Sequence, residues 1–119
     1  IPLVGPSSIL LALMASGLNG QQFAFNGYLP IESNARISKI IELEKLSISR
    51  NQTQIFIEAP YRNQKLLEQL VKTCSDSTNL CIASHLTFSN EMVATRTVKE
   101  WNRSLPDINK IPTIFLLHG

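Results

Sequence analysis

The sequence of 119 residues has little of what marks several large protein classes. Cysteine occurs only at Cys74 and Cys81, without a CxxC pair or a histidine at metal-ligand spacing. This argues against a disulfide framework and against a metal site, and we expect two reduced thiols in a cytoplasmic protein. Charged residues make up only 17% and the net charge is +2, so charge alone does not indicate binding to nucleic acid or membranes.

Several sequence motifs are also absent. There is no Walker loop, no GxGxxG, and no GxSxG around Ser7 and Ser8, so nucleotide hydrolysis and serine hydrolysis lack support. The apolar N-terminal run is interrupted by Pro2 and Gly5 and lacks a basic flank, which fits neither a signal peptide nor a membrane span. Because Ile1 already resembles the middle of a strand, we expect the sequence to be part of a longer protein.

The first eighteen residues contain the most distinctive local pattern. A short apolar strand runs into Gly5-Pro6-Ser7-Ser8, and an apolar helix follows that Gly17 ends. The first backbone N–H groups of this helix, up to Ile9, have no partner within the helix. Together with two hydroxyl groups they form a site suited to a carboxylate or another electron-rich group. By itself, the spacing favours an ordinary strand–turn–helix joint over a binding site.

Hydrophobic periodicity predicts eight further elements, in an order that indicates an α/β fold. Helices separate most strands, which favours a mixed, mostly parallel sheet with helices on both faces, while a short link allows one antiparallel pair. The elements are strands over 23–29, 53–57, 80–83, 91–95 and 111–117, helices over 33–49 and 62–74, and a short helix from Thr97 that Pro106 ends.

Details of these elements can also be predicted. In the first of these strands, Phe23 and Phe25 should pack inward, with Tyr28 as a third candidate and Gly27 as a bulge. Ser33 or Asn34 should cap the next helix. Its buried stripe should comprise Ile37, Ile40, Ile41 and Leu43 or Leu46. The helix over 62–74 should bury Leu66, Leu67, Leu70 and Val71, and Thr97 to Glu100 has the spacing of a capping box.

Ligands of open α/β sheets gather at the carboxyl ends of strands, and polar residues follow several strands here. These are Gly5 to Ser8, Glu58 to Arg62, Ala83 to His85, and Thr113 or His118, depending on the direction of the last strand. Glu58 and Arg62 are four residues apart across a proline turn, close enough to form an ion pair. That pair could fix the turn, or Arg62 could face a substrate; the residues favour neither reading.

Five blocks of the sequence, in this order, carry a resemblance to a known family. The blocks are Leu3-Val4-Gly5-Pro6-Ser7-Ser8, Ser16-Gly17-Leu18, Phe25-Asn26-Gly27-Tyr28-Leu29-Pro30, Ile55-Phe56-Ile57-Glu58-Ala59-Pro60-Tyr61-Arg62 and Leu86-Thr87. They resemble the bacterial 16S ribosomal RNA cytidine-2′-O-ribose methyltransferases, a branch of the tetrapyrrole-methylase-like superfamily, and the resemblance covers essentially the whole chain.

This resemblance implies a two-domain enzyme that binds S-adenosylmethionine between its halves, usually as a homodimer, and methylates ribosomal RNA. Residues 1–20 would end the N-terminal domain, residues 21–119 would form the C-terminal methyltransferase domain, and the rest of the N-terminal domain would be missing. The implied cofactor-binding residues are Ser8, Ile9, Ile57, Ala59, Ala83 and Thr113.

Substrate residues can be suggested from the chemistry that methyl transfer requires. A ribose hydroxyl must lose a proton, for which Glu58, His85 and Glu91 are candidates, and Arg62 could orient a phosphate or carboxylate of the substrate. No single catalytic residue follows from the sequence.

The sequence departs from the family pattern at one block, which keeps other functions open. Ala83-Ser84-His85-Leu86-Thr87 stands where the RNA-modifying branch typically has Ala-Arg-Glu-Leu-Thr. The alternatives are a tetrapyrrole (corrin or porphyrin) methyltransferase, for which a large apolar cleft would argue, and a non-catalytic dimerisation or binding module.

Overall fold

The computed structural model describes residues 23–84, 92–108, 110–111 and 113–119. All eight elements predicted after Gly17 are present there, with ends that agree to within two residues, whereas the strand and helix predicted before Gly17 lie outside the described residues. In chain order the elements are β1 (Phe23–Tyr28), α1 (Ser33–Ser49), β2 (Thr53–Ile57), a 3-10 turn (Pro60–Arg62), α2 (Asn63–Thr73), β3 (Asn79–Ser84), β4 (Met92–Thr97), α3 (Val98–Arg103) and β5 (Thr113–His118).

The five strands form one mixed sheet in the order β1-β2-β5-β3-β4. The predicted α/β class and mixed sheet are confirmed, but "mostly parallel" is wrong for neighbouring strands. Only β1 and β2 pair in parallel, while β5 is antiparallel to both β2 and β3, and β4 is antiparallel to β3. The helices do link strands that run in the same direction. However, β5 separates β2 from β3, and β3 separates β4 from β5, so most neighbours are antiparallel.

One face of the sheet packs against all three described helices. Phe56 of β2 and Phe115 of β5 stack there, with ring centroids 5.7 Å apart. Leucines of α2 and Trp101 of α3 complete this core. Burial of these large side chains stabilises the fold by roughly 1.5–3 kcal/mol for each.

The opposite face carries a second buried apolar cluster made only from strand residues. The cluster consists of Ile55, Ile57, Cys81, Ala83, Ile114 and Leu116. No helix among the described residues packs on this face. The prediction of helices on both faces therefore stays a prediction.

Helix α1 differs from its prediction at its start and along its buried face. Glu32 is the N-cap, and its carboxylate accepts a hydrogen bond from the Ala35 N–H at 2.6 Å, so the predicted caps Ser33 and Asn34 are wrong. Ile40 and Leu43 are buried as predicted, but Ile41 is exposed. The buried face is completed by Arg36 and Ser47, at the four- and three-residue steps that one face of a helix requires.

Strand β1 lies at an edge of the sheet, and its aromatic side chains are exposed. The prediction that Phe23, Phe25 and Tyr28 pack inward is wrong, since between 43% and 65% of each residue is exposed. The predicted bulge at Gly27 is present. Gly27 has a φ of 67°, and the pairing with β2 shifts between Phe25 and Tyr28.

Helices α2 and α3 follow their predictions closely. Leu66, Leu67, Leu70 and Val71 of α2 are all buried. The predicted capping box of α3 is present: the Glu100 N–H donates to Thr97 Oγ1, and the Thr97 N–H donates to the Glu100 carboxylate.

Candidate functional site

The candidate site lies at the end of the sheet where β2 and β3 end and β5 begins, which we call the strand-end edge. Ile57 of β2 pairs with Ile114 of β5, and Ile114 also pairs with Ala83 of β3. Because β5 is antiparallel to both neighbours, Thr113 lies at this edge and His118 lies at the opposite edge. The choice that the sequence left open is therefore settled in favour of Thr113.

The predicted cofactor-binding residues fall into two groups. Ile57, Ala83 and Thr113 are brought together at this edge and are buried, while Ala59 is half-buried two residues beyond β2. Ser8 and Ile9 lie outside the described residues. Ile57, Ile114 and Ala83 thus form a continuous buried apolar row at this edge.

Glu58 follows β2 directly and lies on the helix-covered face, two residues after Phe56. Glu58 is only 4% exposed. Oε1 accepts hydrogen bonds from the Ala59 N–H at 2.7 Å and from Arg62 Nε at 3.1 Å. Oε2 accepts one from an Arg36 Nη at 2.5 Å. The ion pair predicted between Glu58 and Arg62 is present, and Glu58 forms a second ion pair with Arg36.

That second arginine, Arg36, was missed by sequence reasoning. It is 2% exposed and donates to the Pro30 carbonyl and the Gln69 side chain at 3.0 Å each, besides its bond to Glu58. A signal was present in the sequence, since Arg36 lies one helical turn before Ile40 on the apolar stripe of α1. A charged residue on such a stripe is rarely buried unless it is paired.

Arg62 lies between this buried pair and the solvent. Its side chain is 26% exposed. The guanidinium carbon lies 4.5 Å from the centre of the Tyr61 ring, and Arg62 Nη1 donates a hydrogen bond to the Tyr61 hydroxyl. Burial is the largest influence on the pKa of Arg62 and lowers it, but the hydrogen bond to Glu58 and the charge of Glu58 outweigh burial. The pKa is raised overall, so Arg62 stays cationic and can meet an anionic group.

Of the three candidate proton acceptors, only Glu58 is among the described residues. Glu58 holds two guanidinium groups and could approach a substrate hydroxyl only by breaking those bonds. His85 and Glu91 lie outside the described residues. The two ion pairs thus make Glu58 poorly suited to accept a proton.

Two buried polar atoms close to Thr113 have no hydrogen-bond partner within the described residues. They are Ser84 Oγ, whose residue pairs with Thr113 in the sheet, and Asn63 Oδ1 at the start of α2. Asn63 Nδ2 donates to the Ile111 carbonyl at 2.5 Å, and Thr113 Oγ1 donates to the same carbonyl at 2.8 Å. Both free atoms can accept a hydrogen bond, so the strand ends carry polar acceptors on the helix-covered face, opposite the apolar row.

The described residues contain no group of three or more His, Cys, Asp or Glu side chains that could hold a metal ion. In the same ranges, no helix combines the length and the apolar character that crossing a membrane requires. Cys74 and Cys81 are both free and buried, and burial raises the pKa of each thiol.

No protein-family model matches the chain. The chain is 32% identical to ribosomal RNA small subunit methyltransferase I of Vibrio cholerae and 31% identical to that of Escherichia coli O157:H7. Each match covers 100% of this chain and 41% of the relative. The protein of that name from Haemophilus influenzae is 28% identical over the whole chain, which covers 42% of it. The chain thus spans about two fifths of the length of these curated relatives.

A solved structure shares the fold. The crystal structure of the methyltransferase CobJ matches with a TM-score of 0.59 and 14% sequence identity, over 93% of this chain and 47% of that chain. The chain is therefore similar in sequence to the ribosomal RNA small subunit methyltransferase I proteins along about two fifths of their length, and it shares its fold with CobJ.

Proposed function

We propose that this chain forms part of an S-adenosylmethionine-dependent methyltransferase that acts on small-subunit ribosomal RNA, at a ribose 2′-hydroxyl. The observation that carries the proposal is the 32% identity, over the entire chain, to a protein named for that activity. The edge formed by β2, β3 and β5 supports it, because this edge unites three of the residues that the sequence predicted for the cofactor.

The residues at this edge fit S-adenosylmethionine. The apolar row from Ile57 to Ala83 would pack against the adenine ring. The free acceptor atoms of Ser84 and Asn63, on the helix-covered side of the same strand ends, would accept hydrogen bonds from amino groups of the cofactor. Ala59 and Thr113 complete the described part of the cofactor site, and Ser8 and Ile9 belong to its proposed remainder. When bound, the cofactor supplies an electrophilic methyl group on a sulfonium.

The remaining task of the protein is to position the acceptor and to remove its proton. Arg62 is proposed to bind a phosphate of the RNA, because it is cationic, partly exposed and held at the exit of β2. His85 and Glu91 are proposed as proton acceptors, since Glu58 is bound by two arginines. The substitution of Ser84-His85 for the usual Arg-Glu pair leaves the target nucleotide open.

Several features of the whole protein belong to this proposal. Residues 1–20 would end an N-terminal domain that supplies the other wall of the cofactor cleft, and residues 21–119 would form the C-terminal domain. The protein would act in the cytoplasm as a homodimer. The greater length of the relatives supports the further domain.

A methyl-transfer assay with the full translation product that contains this chain tests the proposal. Radiolabelled S-adenosylmethionine is supplied with small ribosomal subunits that lack ribose methylation, with large subunits as the matched control. We expect label in the small-subunit RNA only. If a corrin or porphyrin is labelled and RNA is not, a tetrapyrrole replaces ribosomal RNA as the proposed substrate. If the full translation product does not bind the cofactor, the proposed methyltransferase activity is wrong and a non-catalytic binding module is favoured.

A further inference from the structure

We propose that Arg36 is a positioning residue that acts through Glu58 to hold Arg62 at the substrate side of the site. This inference rests on the proposed function, because it gives Arg62 a substrate phosphate to bind. It assigns a role to a residue of α1 that reaches the strand-end edge through Glu58.

The first step concerns the burial of Arg36. Its side chain is 3% exposed and lies on the apolar face of α1, between the sheet and α2. A buried charge is costly, and replacing a whole buried ion pair by apolar residues of similar volume often leaves stability unchanged or improves it, whereas removing one partner alone is destabilising. Fold stability alone therefore gives a weak reason for an arginine at this position.

The second step is the way in which Arg36 is held. Each of three guanidinium nitrogens donates to a different segment: Nε to the Pro30 carbonyl after β1, Nη1 to Gln69 of α2, and Nη2 to Glu58 after β2. Gln69 in turn donates to Ser33 Oγ at 2.9 Å. A planar guanidinium with three such partners has its orientation fixed, and a lysine could not reproduce it.

The third step links Arg36 to Arg62. Arg36 binds Oε2 of Glu58, which leaves Oε1 for the Ala59 N–H and Arg62 Nε. With Arg36 in place, Arg62 meets a single carboxylate oxygen through Nε, and its Nη1 reaches outward to the Tyr61 hydroxyl. Without Arg36, both oxygens of Glu58 would be open to Arg62. A bidentate pair would then draw the guanidinium inward, away from the substrate.

The test uses the full translation product and compares Arg36→Lys and Arg36→Met with a matched control. Lys39→Met is the control, because Lys39 lies on the same helix but forms an exposed pair with Glu42 at 3.0 Å. We expect both Arg36 variants to raise the KM for RNA roughly tenfold with kcat nearly unchanged, and the control to match the wild type. Arg36→Lys retains the charge, so it gives a result even if Arg36→Met fails to fold.

A double-mutant cycle separates positioning from a purely structural role. In an Arg62→Ala background, Arg36→Lys should no longer raise the KM for RNA, because the residue through which it acts is gone. Melting temperatures are measured for the same set of variants. If Arg36→Lys lowers the melting temperature but leaves KM unchanged, or if its effect on KM persists without Arg62, the inference is wrong. A wild-type protein that transfers no methyl group to RNA would instead contradict the proposed function.

Discussion

At the scale of single residues, the network around Glu58 shows both what a sequence can reveal and what it cannot. The four-residue spacing across a proline turn predicted the contact between Glu58 and Arg62, because such a turn brings the two side chains together. The contact with Arg36 joins residues 22 positions apart through tertiary packing. Its only local sign was a charged residue on an apolar helical stripe, and no spacing rule identifies its partner.

The most exposed member of this network gives the first prediction. Arg62→Ala in the full translation product should raise the KM for RNA by roughly 10- to 100-fold, because a hydrogen bond to a charged group is worth about 1.5–3 kcal/mol. Arg103→Ala is the matched control, since Arg103 is an exposed arginine at the end of α3. Steady-state methyl-transfer kinetics measure both variants. Equal KM values for Arg62→Ala and wild type would remove Arg62 from the substrate site.

The second prediction concerns the thiol of Cys74. Burial raises the pKa of Cys74 to about 12, and the neighbouring Glu44 carboxylate adds to the effect. Compared with a thiol of the ordinary pKa of 9.0, its thiolate fraction at pH 8 is on the order of a thousandfold lower. Brief treatment with iodoacetamide and peptide mapping should leave Cys74 unmodified in the folded protein and label it in urea. Rapid labelling of the folded protein would contradict its burial.

The same pKa shift has a consequence for stability. Since the pKa of Cys74 is higher in the folded than in the unfolded state, its neutral form stabilises the fold at pH values below about 9.0. This contribution is lost as the pH rises toward 12. A Cys74→Ala variant should therefore lose less stability than the wild type between pH 8 and pH 11, measured by urea unfolding.

At the scale of elements, local sequence patterns correctly predicted features that depend on neighbouring residues alone. The capping box of α3, the bulge at Gly27 and the buried positions of α2 were all predicted, because each depends on residues within a few positions of one another. The inward packing of Phe23 and Phe25 was wrong. Alternation identifies a strand, but it does not reveal that β1 is the outermost of the described strands on its side of the sheet.

The third prediction tests the capping box. Thr97→Ala should lower the free energy of unfolding by about 1 kcal/mol, because the Glu100 N–H loses its side-chain acceptor. Ser104→Ala, at the other end of α3, is the control and should have little effect, since only the backbone N–H of Ser104 forms the cap bond there. Urea unfolding at pH 7 measures both. Equal losses for the two variants would contradict the specific role of Thr97.

The cap also predicts a dependence on pH. Hydrogen bonds from the Thr97 backbone and side chain lower the pKa of Glu100. A carboxylate with a lowered folded-state pKa stabilises the fold above its unfolded pKa, and this contribution is lost as the pH falls through the folded value. Glu100→Gln should thus be less sensitive than the wild type to acidification below about pH 4.5, the ordinary value for this group.

The fourth prediction concerns the bulge of β1. Gly27 has a φ of 67°, and a Cβ added there would meet no atom within 4 Å, so backbone strain is the only cost of a side chain. Gly27→Ala should destabilise the fold by about 1–2 kcal/mol, whereas Gly27→Asn should cost less because asparagine tolerates this conformation. Urea unfolding compares the two variants. A larger loss for asparagine than for alanine would show that space, rather than φ, governs this position.

At the scale of the whole molecule, the fold class followed from the sequence but the strand order did not. Helical links between strands correctly predicted strands that run in the same direction. The position of β5 between β2 and β3 depends on pairing between strands far apart in the sequence, and no local pattern records that. This insertion nevertheless creates the candidate site, because it places Thr113 beside the ends of β2 and β3.

The central claim is that this chain forms one wall of an S-adenosylmethionine site. The most direct measurement is calorimetric titration of S-adenosylhomocysteine into the full translation product, with the 119-residue chain titrated beside it. We predict saturable binding by the full product and much weaker binding by the chain alone, because residues of the proposed second wall are absent from the chain. Failure of the full product to bind S-adenosylhomocysteine would contradict the claim.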